Sequence, residues 1–283
     1  MEKPDKQLTT SVSKMVETAT KKIQGIGESI TPEQVLSQAV KIPGVRIDRD
    51  KFIRKELQGH FSRDVVEKAI CECPAAANID RDSIDILAKN VINYETNKVS
   101  CISFAAGLPG GIAMAATIPA DIAQYFGFII RVMQELAYLY GFPEFSLSDE
   151  EISTETMNEL MLFLGVMFGV QEASAGVKIL ANTVSRTIAR RLATKALTKT
   201  AVYPIVKKVA TKIGFSMTKQ IFANGVSKVV PVLGGPAAGG LTYATFKSGA
   251  NRLKNCFAEL NLSDPNEYRQ SEVIDVEALP VES

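Results

Sequence analysis

The sequence predicts an all-α protein: a multi-helix bundle with two apolar helical hairpins, each broken by glycine and proline. Apolar residues recur at steps of three and four along most of the 283 residues, which is the spacing of a helix with one buried face. Strand signals are scarce. The one compact β-branched run, residues 229–233, contains Pro231, which disfavours a strand at that place. Two blocks without charge, 99–120 and 229–246, hold glycine and proline near their middle. Since such residues interrupt a helix, each block predicts two short arms rather than one membrane-crossing helix.

The periodicity and the charge divide the chain into three segments. Residues 1–30 predict an amphipathic N-terminal helix, whose apolar stripe consists of Leu8, Val12, Met15, Ala19, Ile23 and Ile26. Residues 31–260 predict one helical domain. Residues 261–283 are acidic and rich in turn-forming residues, so they predict a disordered tail.

Helix starts and ends can be placed in order within the central domain. Thr31-Pro32-Glu33-Gln34 is typical of a helix start, with a capping Thr and a Gln three positions later. The spacing then predicts helices over 48–57, 62–70, 82–106, 119–140, 148–200 and 205–223, and a last helix that ends near 260. The helix from Ser148 is expected to continue through a GxxxG pair, Gly165 and Gly169.

The net charge of +1 conceals a strong segregation of charge along the chain. Residues 1–172 carry a net charge of −7, residues 173–258 hold 14 Lys and Arg without one acidic residue, and residues 259–283 carry −6. Such asymmetry indicates an anionic partner, which is a membrane surface, a nucleic acid, or the protein's own acidic half.

The basic residues of this acid-free stretch are candidate contacts for anionic lipid headgroups. The candidates are Arg186, Arg190, Arg191, Lys195, Lys199, Lys207, Lys208 and Lys212. Each Lys or Arg near an anionic membrane surface contributes on the order of 1 kcal/mol. Nucleic acid is disfavoured as the partner, since few aromatic residues interleave with the basic ones and no nucleic-acid fold pattern is present. The neighbouring uncharged blocks favour lipid.

Glycine and proline residues mark the predicted turns of the two hairpins. These residues are Pro109, Gly110, Gly111, Gly234, Gly235, Gly239 and Gly240. Small residues let helix backbones approach closely, both in soluble bundles and in lipid. The composition therefore leaves open whether the hairpins pack internally or dock on or enter a bilayer.

Polar residues share one face of the helix predicted over 119–140. They are Asp121, Gln124, Arg131 and Glu135. The favoured interpretation is a narrow solvated stripe on a helix that is otherwise buried. The alternative is a polar track inside a bundle or a membrane, where Asp121 or an Arg131–Glu135 pair has a role.

The sequence predicts no catalytic residue, no metal site and no cofactor, and therefore no enzyme. The stretch 235–242 has the glycine spacing of a phosphate-binding loop, but Leu241 stands where that loop needs a Lys. Cys71, Cys73 and His60 lack the spacing of a zinc site. A nucleophilic Cys–His pair is not supported either, because nothing in the sequence marks a cysteine or His60 as activated.

Several segments resemble the EcsC family of bacterial proteins. The likeness spans about residues 35–260, and its most specific part is Ile118-Pro119-Ala120-Asp121-Ile122, followed by a helix that ends in Leu139-Tyr140-Gly141. Weaker agreement lies at 55–57, 66–69, 74–77, 105–116, 230–235 and 251–253. The resemblance implies a bacterial helical protein, in a family named from an operon that encodes an ABC transporter. It implies no catalytic residue.

These observations predict a membrane-associated helical protein. It would lie on the cytoplasmic side of the cell membrane, since the first residues lack the apolar core of a signal peptide. Its hairpins and basic helices would dock on an anionic membrane surface or on a membrane protein. The resemblance adds an accessory role beside an ABC transporter or another envelope process. Two alternatives remain open: a soluble helical bundle that holds a lipid or amphiphile in an apolar cavity, and a pore-forming effector. The oligomeric state is not predicted.

Overall fold

The computed structural model describes residues 31–106, 120–147, 152–190, 202–214 and 234–269, with the backbone alone at 101–106, 120–121, 185–190 and 234–242. These residues form helices joined by short loops, and the β-structure among them is one isolated bridge between Leu147 and Ile152. The all-α prediction is confirmed. Among the described residues, no helix combines the length and the apolar character that crossing a membrane requires.

The helices follow one another in this order: α1 Pro32–Val40, α2 Arg49–Leu57, α3 Arg63–Cys71, α4 Arg81–Ala106, α5 Ala120–Leu139, α6 Thr154–Met167, α7 Gln171–Arg190, α8 202–214 and α9 Gly234–Ala258. A 3-10 turn at Asn261–Ser263 and a helical turn at 265–269 follow. The predicted capping box at the start of α1 is confirmed, since the Thr31 hydroxyl accepts from the Gln34 amide and the Gln34 side chain accepts from the Thr31 amide.

Helix α5 forms the centre of the bundle. It packs against α1, α2, α4, α6 and α9, while α4 and α9 lie along each other. Between Ile129 and Phe142, every side chain of this segment except Arg131 is buried. A helix that is buried all round belongs inside a core. Aromatic contacts join its end to two other helices, because Phe142 lies 5.3 Å from Phe163 on α6 and 5.0 Å from Phe257 on α9, centroid to centroid.

The predicted continuous helix over 148–200 is wrong at Gly169. Helix α6 ends at Met167, and Gly169 adopts a φ of 77°, which glycine reaches without steric cost. The Val170 amide donates to the Gly165 carbonyl at 2.8 Å, and the Gly169 amide donates to Val166, as in a Schellman helix end. The two glycines of the GxxxG pair therefore do different things: Gly169 ends α6, and Gly165 is a point of close helix packing.

The second predicted hairpin also needs a correction. Gly234, Gly235, Gly239 and Gly240 lie inside the continuous helix α9 rather than at a turn. Pro236 is the third residue of this helix, where the amide that proline lacks would have no partner within the helix. Packing of α9 along α4 compensates for the low helix propensity of its glycines.

The turn of the first predicted hairpin is not tested. Pro109, Gly110 and Gly111 lie outside the described residues, between the end of α4 at Ala106 and the start of α5 at Ala120. Residues 229–233 of the second block also lie outside them, as do the N-terminal segment 1–30 and most of the acidic tail.

Candidate functional site

Three helices that are distant in sequence enclose a cleft of about 500 Å³. Helix α1 and the Lys41 cap at its end contribute positions 33, 37, 40 and 41, α6 contributes 154, 157, 158 and 161, and α8 contributes 203, 206, 207 and 210. Each set follows the spacing of three and four that places side chains on one helix face. The volume falls within the range of about 300–1,000 Å³ that is typical of small-molecule sites.

The floor of the cleft is apolar. Its members are Val40, Ile152, Met157, Met161, Val206 and Ala210. Val40 and Met161 are fully buried, so the floor is continuous with the main core. Methionine side chains are flexible and polarizable, which lets such a floor adapt to apolar groups of different shape.

Cations lie at the rim of the cleft. Lys41 at the end of α1 and Lys207 on α8 are both exposed, and neither has an ion-pair partner among the residues that the structure describes. Glu33 is the carboxylate among the described lining residues. Tyr203, also on the rim, exposes 56% of its surface. An apolar floor below two ammonium groups fits a molecule with an apolar tail and an anionic head.

Close helix packing positions the α8 wall of the cleft. A Cβ atom at Gly165 of α6 would lie 2.5 Å from Cγ1 of Val209, so α8 approaches α6 more closely than any larger residue would allow. A Cβ atom at Gly176 of α7 would lie 3.3 Å from Cγ2 of Ile205. Lys212, two turns further along α8, forms a 2.6 Å ion pair with Glu172 at the start of α7.

The predicted basic candidates divide into three groups. Lys207, Lys208 and Lys212 are exposed on α8, and of these Lys207 lines the cleft. Arg186 and Arg190 lie in the last turns of α7, where only the backbone is described. The remaining candidates, Arg191, Lys195 and Lys199, lie outside the described residues.

Acidic residues outside the acid-free stretch neutralise several of its cations. Lys254 contacts Asp85 of α4 at 2.6 Å, and Lys178 contacts Glu259 at 3.6 Å. Lys212 contacts Glu172, and its hydrogen bonds hold the pKa of that carboxyl below the usual range. The basic stretch therefore partly neutralises acidic residues of the same chain. The protein's own acidic half was one of the anionic partners that the charge pattern left open.

The favoured interpretation of the polar stripe, a solvated face, is wrong for Glu135. Gln124 is exposed, whereas Glu135 is buried and Arg131 is mostly buried against α4. The side chain of Asp121 lies outside the described part of the chain. Arg131 Nη2 donates to Glu95 at 3.0 Å and to Glu135 at 3.2 Å, so one guanidinium joins two carboxylates. This geometry agrees with the alternative of a polar track inside a bundle.

Glu95 is the residue of this cluster that the sequence interpretation missed. Its side chain is 0% exposed, in line with the apolar residues Ile84, Ala88, Val91 and Val99 of α4. A carboxylate at a core position of an apolar stripe is a signal, because it must find a charged partner when it is buried. Its partner, Arg131, is 36 residues away on another helix.

Burial raises the pKa of Glu135 to about 8, and repulsion by the Glu95 carboxylate acts in the same direction. The charges of Arg131 and Lys98 oppose this rise. Oε2 of Glu135 has no hydrogen-bond partner among the described atoms, which is consistent with poor solvation of the ionised form.

Within the described residues, no group of three or more His, Cys, Asp and Glu side chains is placed to hold a metal ion. Cys71, Cys73 and Cys256 are free thiols. Comparison of the chain with protein-family models, with curated proteins and with solved structures finds no match in any of the three.

Proposed function

We propose that this protein binds an anionic amphiphile, with the apolar tail in the cleft between α1, α6 and α8 and the anionic head beside Lys41 and Lys207. The observation that supports this most is the pairing of an apolar floor with two exposed rim cations that have no ion-pair partner among the described residues. Burial of the tail would supply affinity, at about 0.8 kcal/mol for each methylene. The ammonium groups would select the head by charge-assisted hydrogen bonds.

Calorimetric titration with n-alkyl phosphates of increasing chain length, below their micelle concentration, tests the cleft. Affinity should rise about fourfold for each added methylene until the cleft is full, and then level off. Lys207→Glu should weaken binding about tenfold, because a carboxylate replaces a cation at the head position. Lys208→Glu is the matched control: it makes the same charge change on the neighbouring exposed residue, which does not line the cleft.

Two results would contradict amphiphile binding. One is an affinity that does not depend on chain length, since a tail outside the cleft gains nothing from added methylenes. The other is an equal loss of affinity in both lysine variants, since general attraction between opposite charges does not distinguish neighbouring exposed residues.

A second candidate function is docking on an anionic membrane surface through the exposed side of α8. Lys207 and Lys208 lie there together, and exposed Tyr203 is of a type enriched at membrane interfaces. Flotation with vesicles of phosphatidylcholine and phosphatidylglycerol should show binding that high salt removes, and both Lys207→Glu and Lys208→Glu should reduce it by a similar factor. Equal flotation with phosphatidylcholine alone would argue against headgroup recognition.

The cellular setting that we propose is the cytoplasmic face of the cell membrane, in an accessory role beside an ABC transporter or another envelope process. The resemblance to the EcsC family supports the transporter part, and the exposed lysines of α8 support the membrane part. Dye release from vesicles separates this setting from the pore-forming alternative, because surface docking leaves the vesicles intact.

A further inference from the structure

One guanidinium connects the two buried carboxylates to the loop between α1 and α2. Arg131 donates through Nε and Nη2 to Glu95, with the shortest contact at 3.0 Å, and through Nη2 to Glu135 at 3.2 Å. Its remaining nitrogen, Nη1, donates to the carbonyl of Gly44. Nη1 is therefore the one terminal nitrogen of this side chain that binds the loop rather than a carboxylate.

The next turn of α5 holds the same loop. Gln134 is buried, and its Nε2 donates to the Val45 carbonyl at 2.8 Å while its Oε1 accepts from the Ile47 amide at 3.0 Å. The Tyr138 hydroxyl, one turn further along α5, donates to the Ile47 carbonyl at 3.3 Å. The loop is thus attached to α5 at four nearby backbone groups. It begins at Lys41, which lines the cleft, so its attachment also positions the end of the α1 wall.

Charged groups from three helices surround Glu135. Helix α4 contributes Glu95 and Lys98, and α5 itself contributes Arg131. Helix α2 contributes Glu56 and Lys55, which act through longer electrostatic interactions. Tyr94 of α4 interacts electrostatically with Arg131, and the centroid of the Tyr94 ring lies 4.9 Å from Lys98 Nζ.

We propose that this cluster is a proton-linked clasp on the α1–α2 loop. While Glu135 is protonated, the Glu95 carboxylate is the one negative charge that Arg131 pairs with, and Nη1 of Arg131 stays hydrogen-bonded to the Gly44 carbonyl. When Glu135 loses its proton to solvent, a second buried carboxylate competes for the same guanidinium and draws Nη1 away from the loop. The loop then loses its Gly44 contact with α5 and is held less firmly, by Gln134 and Tyr138. The effect of Glu135 ionisation on the loop does not depend on the proposed function, whereas any effect on amphiphile binding rests on it.

Hydrogen–deuterium exchange of the intact protein, followed by mass spectrometry at pH 7, 8 and 9, tests the clasp. The readout is the peptide that contains the Ile47 amide, and Glu135→Gln is the comparison, because glutamine keeps the shape and cannot ionise. The ratio of wild-type to variant exchange at each pH removes the chemical effect of pH on exchange. This ratio should be near one at pH 7 and should rise about tenfold by pH 9, because opening is linked to the loss of one proton. A ratio that stays constant would overturn the clasp.

Glu95→Gln provides an independent check. With Gln at position 95, ionised Glu135 is the one carboxylate that Arg131 contacts, so nothing competes for the guanidinium and Nη1 stays on Gly44. The pH-dependent rise in exchange should therefore disappear in Glu95→Gln, whereas a purely structural defect would raise exchange and leave its pH dependence in place. Peptides from α3, outside the cluster, should behave alike in all proteins, and a pH-dependent rise there would mean general unfolding and refute a local clasp.

The exchange measurement needs no amphiphile, so it separates the two proposals. If loop exchange follows pH as expected but alkyl phosphates do not bind at any pH, the proposed function fails and the clasp stands. If alkyl phosphates bind with an affinity that changes with pH in the wild type and not in Glu135→Gln, the clasp also controls the cleft.

Discussion

Replacing Gly165 by alanine tests the packing that places α8 beside the cleft. The added Cβ would lie 2.5 Å from Cγ1 of Val209 and 2.7 Å from Cβ of Ala173. Real Cβ atoms do not approach neighbours this closely. The Ala173 atom is attached directly to the α7 backbone, and a β-branched valine has little rotamer freedom, so the helices themselves must move. Gly176 offers a matched control, because its added Cβ would meet mainly Cδ2 of Leu162, at 2.6 Å, which is the far end of a flexible side chain.

The expected magnitude follows from two opposing effects. Overpacking against two rigid neighbours costs up to about 3 kcal/mol, and replacing glycine by alanine inside a helix contributes about 1 kcal/mol of stability. Gly165→Ala should therefore lower the free energy of unfolding by about 2 kcal/mol. At about 2–4 °C for each kcal/mol in a chain of this size, Tm should fall by about 4–8 °C. For Gly176→Ala, a rotation of Leu162 relieves the contact, so the net change should stay within about 0.5 kcal/mol.

Urea and thermal unfolding, followed by circular dichroism at 222 nm (a standard helix wavelength), measure both variants. The reasoning predicts a lower denaturation midpoint for Gly165→Ala and an unchanged slope with urea. If Gly165→Ala is as stable as the wild type while Gly176→Ala is also unchanged, α8 does not pack against α6 at this point. The cleft would then lose its third wall.

Two further predictions concern buried charge, and urea unfolding at a series of pH values measures both. Lys254→Met should lower the free energy of unfolding by about 2 kcal/mol, which is less than for a fully buried pair because the Asp85 side chain is still 27% exposed. Burial opposes ionisation of Asp85, but hydrogen bonds from Lys254 and Tyr140 lower its pKa. The higher stability of the wild type should therefore be present above about pH 4 and should fade as the pH falls below this value. For Glu135 the pKa in the folded state is raised instead, to about 8. The free energy of unfolding of the wild type should therefore fall as the pH rises from about 4.5 to 8, by up to about 1.4 kcal/mol for each pH unit. Glu135→Gln should abolish this pH dependence.

Local sequence signals predicted the helices well where one segment decides its own structure. The capping box at Thr31 fixes the start of α1, and the apolar run after Pro119 marks the central helix α5. The signals failed where a single residue acts through its backbone or through a distant neighbour. Gly169 ends α6 by adopting a left-handed conformation, whereas Gly165, four residues earlier, is selected by the nearness of Val209. A GxxxG pattern does not distinguish these two roles.

The cleft could not be predicted from the sequence, because each of its walls looks like an ordinary core stripe. Val40, Met161 and Val206 occupy helical positions that any buried face would use, and about 120 residues separate the first wall from the second. Only the packing of three helices shows that their stripes leave space between them. The same limit applies to charge: the acid-free stretch left open both an external anion and the protein's own acidic half, and the fold shows that Asp85 contacts Lys254 within the chain.

The α1 and α8 walls of the cleft are anchored at separate places, and this arrangement leads to a last prediction. The α8 wall depends on the contact of Gly165 with Val209, whereas the α1 wall depends on the loop that Arg131 and Gln134 hold. These anchors share no contacting residue. Distant, independent substitutions add within about 0.5 kcal/mol. The double variant Gly165→Ala, Glu135→Gln should therefore show the sum of the two single changes in unfolding free energy at every pH. A larger deviation would mean that the cleft couples its walls even when it is empty, so that opening one wall loosens the other.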